Sequence, residues 1–282
     1  MEHATVVGLD RPAASPELET WVEHYWTVRW DLGSAAYRSE VVPHPTVHLS
    51  VESGTTRHRG IPMPAALVHG VVTSRFTVDL SGEGRVFGVK FRPGGFGAFT
   101  GEDVGAWTGR VLDLRAAFGG AADSLRDEVL AEGTDEARAT VMDAFLVARA
   151  PAPNPAYERV LDIVAGMLAD PGLTSVEAVC ERFDVSVRTL QRLFRRYVGV
   201  GPKWVLRRYR LHDAVALIDV GEGGELAALA ARLGWYDQAH FTRDFAAVVG
   251  QSPAAYAAST ASVASGVAGG RRGGSGGGAT RR

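Results

Sequence analysis

The chain has 282 residues, 46% of them hydrophobic, which is enough to bury a core and to form about two domains. Its formal net charge of −2 argues against a uniformly basic protein, and its single cysteine, Cys180, excludes an intrachain disulfide and a multi-cysteine zinc site. No stretch approaches the roughly 18 consecutive apolar residues of a membrane span, and the acidic start lacks the basic and apolar regions of a signal peptide. We therefore expect a cytoplasmic protein without a membrane partner.

The segment before residue 93 contains short stretches of alternating apolar and polar residues, separated by Gly and Pro. This pattern is typical of strands joined by turns. Strands are predicted at 26–30, 47–52, 65–73, 75–80 and 86–92. Gly94, Gly95 and Gly97 are interpreted as a turn, since no P-loop lysine follows them. From about residue 104 the pattern becomes helical, and helices are predicted at 125–130 and 136–149.

A Pro-rich run, Ala150-Pro151-Ala152-Pro153-Asn154-Pro155, cannot continue a helix and predicts a semi-rigid linker at 151–155. We expect it to separate a β-rich domain at 1–150 from a helical domain at 156–258. Few contacts are expected across the linker, so a fragment covering 155–259 is expected to fold alone. Residues 259–282 are rich in Gly, Ser and Arg and are predicted to form a disordered tail.

Residues 186–202 and 237–253 are two copies of one pattern at a constant offset of 51 residues. The copies share an N-terminal cap, a buried stripe, an exposed arginine, and a Gly and a Pro that end the helix. The aligned pairs are Ser186 with Asp237, Leu190 with Phe241, Arg192 with Arg243, Gly199 with Gly250 and Pro202 with Pro253.

A shorter helical stretch precedes each copy, at 174–183 and 226–233, and Thr174 with Glu177 predicts a capping box at the start of the first stretch. Two helices joined by a tight turn, with arginine on the open face of the second, predict a helix-turn-helix in each case. A long helix from Pro202 to near Gly221 is expected to space the two recognition helices, 186–197 and 237–249, about one DNA turn apart.

At about 100° per residue, each recognition helix has a buried side and an exposed side. The side chains predicted to contact DNA are Arg188, Gln191, Arg192, Arg195 and Arg196 in the first helix and Gln238, His240, Thr242 and Arg243 in the second. Arginine can bind guanine bidentately in the major groove, and glutamine can bind adenine in the same way. Eight basic residues and no acidic residue lie between Ser186 and His212, as expected for phosphate contacts. Asp244 makes the second helix less cationic, so we expect it to bind more weakly.

Two stretches carry a family pattern. They are Ser186-Val187-Arg188-Thr189-Leu190-Gln191-Arg192-Leu193-Phe194 and Leu233-Gly234-Trp235-Tyr236-Asp237-Gln238-Ala239-His240-Phe241-Thr242-Arg243-Asp244-Phe245. With them, residues 157–257 resemble the DNA-binding domain of the AraC/XylS-type family of bacterial transcription regulators. The resemblance implies a seven-helix module that binds double-stranded DNA at a bipartite promoter site, contacts RNA polymerase and acts mostly as an activator. Ala246 and Ala247 stand where the family often carries basic residues.

Members of this family commonly carry a cupin-like β-barrel ahead of the module, and the strand pattern before residue 93 is compatible with one. The predicted fold class is therefore α+β multidomain, with an N-terminal β-rich cupin-like barrel and accessory helices, and a C-terminal all-α double helix-turn-helix. The N-terminal domain is expected to bind a small-molecule effector or to form a homodimer.

Four histidines, His44, His48, His58 and His69, suggest a metal site in the N-terminal half, since imidazole is a common ligand. A cupin-type His-x-His followed by Glu is absent from the sequence, so no metal and no other cofactor is predicted. The aromatic residues that could line an effector pocket, or else belong to the core, are Trp21, Tyr25, Trp26 and Trp30.

Two alternatives compete with a transcription regulator that is not an enzyme. One is a cupin-type metalloenzyme or ligand-binding protein that carries a DNA-binding module, and it requires a bound metal or ligand. The other is a DNA-repair methyltransferase regulator, which needs a zinc-held cysteine nucleophile that Cys180, predicted to lie in the core, cannot supply.

Overall fold

The structure is a computed structural model that describes residues 6–54 and 61–260. The chain divides into two compact units, Met1–Tyr209 and Arg210–Arg282. The predicted tail beyond residue 260 lies outside the described residues, as does His58.

Within the described residues, the first half of the chain forms one six-stranded antiparallel sheet. Its strands are β1 (Val6–Asp10), β2 (Val22–Val41), β3 (His48–Gly54), β4 (Ala65–His69), β5 (Phe76–Phe91) and β6 (Val111–Asp113). Their order across the sheet is β1-β2-β5-β3-β4-β6. Strand β5 joins the two strands predicted at 75–80 and 86–92, because its pairing with β2 continues between them. Strand pairing is a tertiary contact, so the local turn signals underestimated the length of β2 and β5.

The two faces of the sheet differ, because successive side chains of a strand point to opposite sides. One face carries apolar residues such as Leu49, Val51 and Phe87, which belong to the main hydrophobic core. The opposite face of β3 carries polar residues, among them the buried Ser50 and Glu52. The helices that follow the sheet contribute to the same core as its apolar face. The polar face lies on the opposite side of the sheet.

Five helices follow in the first half of the chain and directly after the Pro-rich run. They are α1 (Gly95–Thr100), α2 (Arg115–Phe118), α3 (Ala121–Ala131), α4 (Asp135–Val147) and α5 (Pro155–Ala169). The helices predicted at 125–130 and 136–149 are confirmed as α3 and α4. Helix α4 begins where Thr134 accepts a hydrogen bond from Ala137 N at 3.2 Å, and Asn154 caps α5 in the same way.

The remaining helices form the second half of the chain. They are α6 (Val176–Arg182), α7 (Val187–Leu193), a π-helical segment (Phe194–Val198), α8 (Pro202–Asp219), α9 (Leu226–Arg232) and α10 (Gln238–Val249). Residues 253–260 are also helical. The predicted order, an antiparallel sheet domain followed by a helical helix-turn-helix region, is confirmed. The sheet has β1 and β6 at its edges, so its closure into a cupin-like barrel stays a prediction.

The expectation of few contacts across the linker at 151–155 is wrong. Tyr157 and Val160 on α5 are buried in the same core cluster as Phe91 and Phe96 from the sheet domain. Tyr157 Oη also donates a hydrogen bond to Thr20 O at 2.8 Å. The Pro-rich run interrupts the helices, but it does not determine what the apolar stripe of α5 packs against. The first compact unit therefore continues to Tyr209, and a fragment that starts at residue 155 would expose part of this core.

Candidate DNA-binding site

The first helix-turn-helix consists of α6, a turn and α7. Helix α6 is capped by Ser175, whose Oγ accepts a hydrogen bond from Ala178 N at 3.1 Å, so the predicted cap at Thr174 is wrong by one residue. Ser186 caps α7 as predicted and accepts a hydrogen bond from Thr189 N at 3.2 Å. The cap fixes where the recognition helix begins and hence which of its side chains reach the solvent.

Helix α7 separates buried apolar from exposed polar side chains. Leu190 and Leu193 are 0% and 9% exposed. Arg188, Gln191 and Arg192 are all exposed. Two guanidinium groups and one amide on a single helix can make the bidentate hydrogen bonds that distinguish guanine and adenine in a major groove.

The last turn of the first recognition helix departs from the α-helical pattern. Phe194–Val198 is π-helical, and Gly199 N donates to Phe194 O at 2.9 Å, five residues back. The rotation of about 100° per residue therefore does not extend to Arg195, which was predicted to share a face with Arg188 and Arg192. Sequence spacing alone does not show such a widened turn.

Arg195 and Arg196 are exposed, yet both lie against the sheet domain. A Cβ atom added at Gly105 would lie 3.1 Å from Arg195 Cγ, and Arg196 Nη2 donates to Gly101 O at 3.3 Å. Thr108 Oγ1 adds a hydrogen bond of 2.7 Å to Gly199 O. Residues 101–108 thus contact the π-helical segment, and the glycine after it, that end the first recognition helix.

Two arginines of the basic run serve packing rather than a phosphate surface. Arg208 is 2% exposed, lies 4.4 Å from the ring centre of Trp204, and donates to Thr73 O at 3.2 Å. Arg210 lies 4.9 Å from the ring of Trp235 and donates to Gly234 O at 2.6 Å. The run of eight therefore overstates the basic surface, since a charge count does not show which side of α8 a residue occupies.

The second helix-turn-helix consists of α9, a turn and α10. Asp237 caps α10 as predicted and accepts a hydrogen bond from His240 N at 2.6 Å. Phe241 and Phe245 are 0% exposed and form the predicted buried stripe. Arg243 and Gln238 are exposed, whereas the side chains of His240 and Thr242 are half-buried.

Contacts among three side chains connect the turn of the second helix-turn-helix to its recognition helix. Trp235 Nε1 donates to Asp244 Oδ2 at 3.1 Å, and His240 Nε2 lies 3.3 Å from the same oxygen. His240, one of the predicted DNA contacts, is thus directed along the helix toward Asp244. In the sequence, Asp244 stands out as an unfavourable charge for DNA binding, and its spacing of four residues from His240 is the signal for this contact.

We expect Asp244→Ala to lower the free energy of unfolding of the second helix-turn-helix by about 1 to 3 kcal/mol, because it leaves the buried Trp235 N–H without its acceptor. Chemical denaturation followed by tryptophan fluorescence measures the change. Glu225→Ala is the matched control, since Glu225 is exposed and its side chain makes no capping hydrogen bond. Equal stability of the two variants would contradict this role of Asp244.

The histidines of the sheet domain bind neighbouring side chains. His48 Nδ1 accepts a hydrogen bond from Trp26 Nε1 at 3.2 Å, and burial, with repulsion from His69 and Lys90, lowers the pKa of His48 to about 3. His69 Nε2 lies 2.7 Å from Ser50 Oγ. In residues 6–54 and 61–260, no group of three or more His, Cys, Asp or Glu side chains is arranged to hold a metal ion.

The four predicted aromatic residues have different positions. Tyr25 is 0% exposed, belongs to the core and donates to Asp143 Oδ1 at 2.6 Å. Trp21 packs at the edge of the same core against Phe99. Trp26 and Trp30 are half-buried on the opposite, polar face of the sheet. Only these last two fit an effector-binding surface.

None of the helices in the described part of the chain is long and apolar enough to cross a membrane.

Two family models match the chain. One is described as a helix-turn-helix domain (HTH_18) and matches residues 179–259, and the other is described as a domain of unknown function (DUF6597) and matches residues 10–113. No curated protein matches the chain.

Several solved structures are similar to the chain at low identity. ToxT from Vibrio cholerae is 11% identical with a TM-score of 0.42, and the match covers 90% of this chain and 97% of ToxT. ToxT with a bound unsaturated fatty acid is 12% identical with a TM-score of 0.39, covering 91% and 96%. The AraC-like transcriptional activator CuxR is 18% identical with a TM-score of 0.22, covering 75% and 87%. These likenesses are too weak to carry a functional argument.

The matched helix-turn-helix domain includes α7, α8, α9 and α10, and so contains both recognition helices and the helix between them. The exposed arginines and capped helices described above lie within it. Residues 179–259 thus carry a helix-turn-helix domain, in agreement with the two helix-turn-helix units predicted from the sequence.

Proposed function

We propose that the protein is a sequence-specific transcription activator that binds a bipartite promoter site with its two recognition helices and contacts RNA polymerase. The observation that carries this proposal is the pair of capped helices, α7 and α10, each with exposed arginine opposite buried apolar residues. A solvated amphipathic helix explains one such element but not the repeated cap, arginine, glycine and proline positions. The function requires the predicted cytoplasmic location.

The two units are proposed to differ in how strictly they read DNA. Helix α7 presents Arg188, Gln191 and Arg192, whereas α10 presents Arg243 and, at its first residue, Gln238. Each good bidentate pair discriminates against a wrong base by about 1 to 3 kcal/mol. The half-site bound by α7 is therefore expected to tolerate fewer sequence changes than the half-site bound by α10.

The sheet domain is proposed to receive a small polar effector or to form a homodimer. The polar face of the sheet supports the first role, because it combines the half-buried rings of Trp26 and Trp30 with the buried Ser50, Glu52 and Lys90. Sites for small molecules typically combine an apolar or aromatic wall with a few polar groups that fix orientation. A dimer would strengthen DNA binding by raising the effective concentration of the second module.

We expect Arg243→Ala to weaken specific binding by about 1 kcal/mol and to relax base preference in the half-site of α10 only. Genomic fragments retained by the purified protein supply the operator, and competition with systematically mutated operators then measures base preference. Arg232→Ala, an exposed arginine on α9, is the control and should leave base preference unchanged. Relaxed preference in the same half-site as Arg192→Ala would contradict the assignment of one half-site to each helix.

A further inference from the structure

Three arginines meet at the N-terminal end of α4. Arg29 on β2 and Arg85 on β5 are directly opposite each other in the register of the sheet. Arg138 comes from the first turns of α4, is 2% exposed and repels Arg85 electrostatically. Like charges directly opposite in a strand pair are destabilising, so this arrangement needs a compensating anion.

Asp135 accepts hydrogen bonds from two of these arginines and from Thr27. Its Oδ1 accepts a hydrogen bond from Arg138 Nη1 at 2.7 Å. Its Oδ2 accepts from Thr27 Oγ1 at 2.9 Å and also from Arg29 Nη2. The triad of Arg29, Asp135 and Arg138 therefore forms a complete structural ion pair network that joins α4 to β2.

Arg85 is outside that network. Its Nε atom is buried and has no hydrogen-bond partner among the residues that the structure describes. Desolvation, followed by the charges of Arg138 and Arg29, lowers the pKa of Arg85 from its ordinary value, and the charge of Asp135 offsets only part of this effect. A buried donor without an acceptor is costly, and such groups persist where a ligand supplies the acceptor.

We propose that Arg85, with the half-exposed guanidinium group of Arg29 beside it, binds the carboxylate or phosphate group of a second small-molecule effector, on the face of the sheet opposite Trp26 and Trp30. A planar guanidinium group can donate two parallel hydrogen bonds to either oxyanion. The N-terminal end of α4, a helix of 13 residues, adds a favourable dipole for a negative charge. The side chain of Arg29 is 50% exposed, which leaves the cluster accessible to a small anion.

The site lies in the sheet domain. Its regulatory effect rests on the proposed function, but anion binding itself does not, so binding is measured without DNA. Full-length protein is titrated with inorganic phosphate and, separately, with acetate at constant ionic strength, and calorimetry and thermal unfolding are recorded. We expect saturable binding of at least one of the two anions, and the tighter one identifies the group that the effector carries. Arg85→Gln should weaken that binding by about tenfold or more, since a hydrogen bond to a charged group contributes at least this factor.

Two control variants distinguish anion binding at this arginine cluster from anion binding elsewhere on the protein. Arg126→Gln removes an arginine that pairs with Asp123 and Asp127 on α3, and it should bind the anion normally. The double variant Arg188→Ala, Arg192→Ala removes two arginines of the proposed DNA-binding surface. It should also bind the anion normally, because it loses only anion binding that takes place at that surface.

Without anion, Arg85→Gln should melt at or above the temperature of the wild-type protein, because it removes a half-buried guanidinium group whose Nε atom has no hydrogen-bond partner among the described residues. A lower melting temperature, or failure to fold, would identify Arg85 as a structural residue and overturn the proposal. Normal anion binding by Arg85→Gln, loss of binding in the DNA-surface double variant, or no saturable binding of either anion would overturn it equally.

Discussion

Replacing Arg188 or Arg192 with alanine is expected to weaken specific DNA binding by about 1 to 3 kcal/mol each and to relax base preference in one half-site. Both side chains are exposed on α7, opposite the buried Leu190. Truncation removes two guanidinium donors from a base edge without disturbing the packed side of the helix. Competition binding with operators mutated at each position measures both the loss and the change in preference.

Arg126→Ala provides the matched control, since this arginine lies on α3 in the sheet domain. It should leave both affinity and preference unchanged. If Arg188→Ala and Arg192→Ala instead weaken binding to every DNA sequence by the same factor, the exposed face of α7 contacts phosphate only. That result would contradict the assignment of these residues to the bases while leaving DNA binding itself intact.

Substitution of Gly97 by valine should destabilise the first compact unit by about 1 to 3 kcal/mol and weaken DNA binding. A Cβ atom added at Gly97 would lie 2.8 Å from Val104 Cγ2 and 3.1 Å from Tyr197 O. Helix α1 would then move away from the π-helical segment at the end of the first recognition helix. Chemical denaturation and affinity for the selected operator measure the two effects.

Gly133→Val is the control for this prediction, because a Cβ atom at Gly133 meets nothing within 4 Å. It should leave both stability and DNA affinity near the wild-type values. An unchanged DNA affinity for Gly97→Val, despite the loss of stability, would show that the sheet domain does not support the recognition helix. A stability equal to that of the control would show that the close approach of the two backbones is not tight.

The local signals of the helix-turn-helix units predicted the structure well. Ser186 and Asp237 cap the two recognition helices, and Gly199 and Gly250 end them with φ of +90° and +88°. Capping and a left-handed terminating residue depend on only a few neighbouring residues, so a single sequence reveals them. The repeat at a constant offset added the evidence that both helices serve one purpose.

The features that the sequence did not reveal depend on contacts between distant segments. Gly97 was interpreted as part of a turn, but it lies in α1 where the backbone approaches Tyr197. Arg208 and Arg210 were counted as phosphate contacts, but aromatic rings and backbone carbonyls bind their side chains. The packing of α5 on the sheet domain could not be inferred from its stripe, because a stripe shows that a face is buried and not what buries it.

The affinity of the full-length protein for its selected operator, measured against salt concentration, tests the central claim most directly. The exposed basic residues between 188 and 210 that are not assigned to bases are Arg195, Arg196, Lys203 and Arg207. About four phosphate contacts at about −0.9 each predict a slope of log K against log salt near −4. The operator should also be preferred over unrelated DNA and contain two half-sites. A folded protein that shows no salt-dependent binding to any DNA would contradict the proposed function.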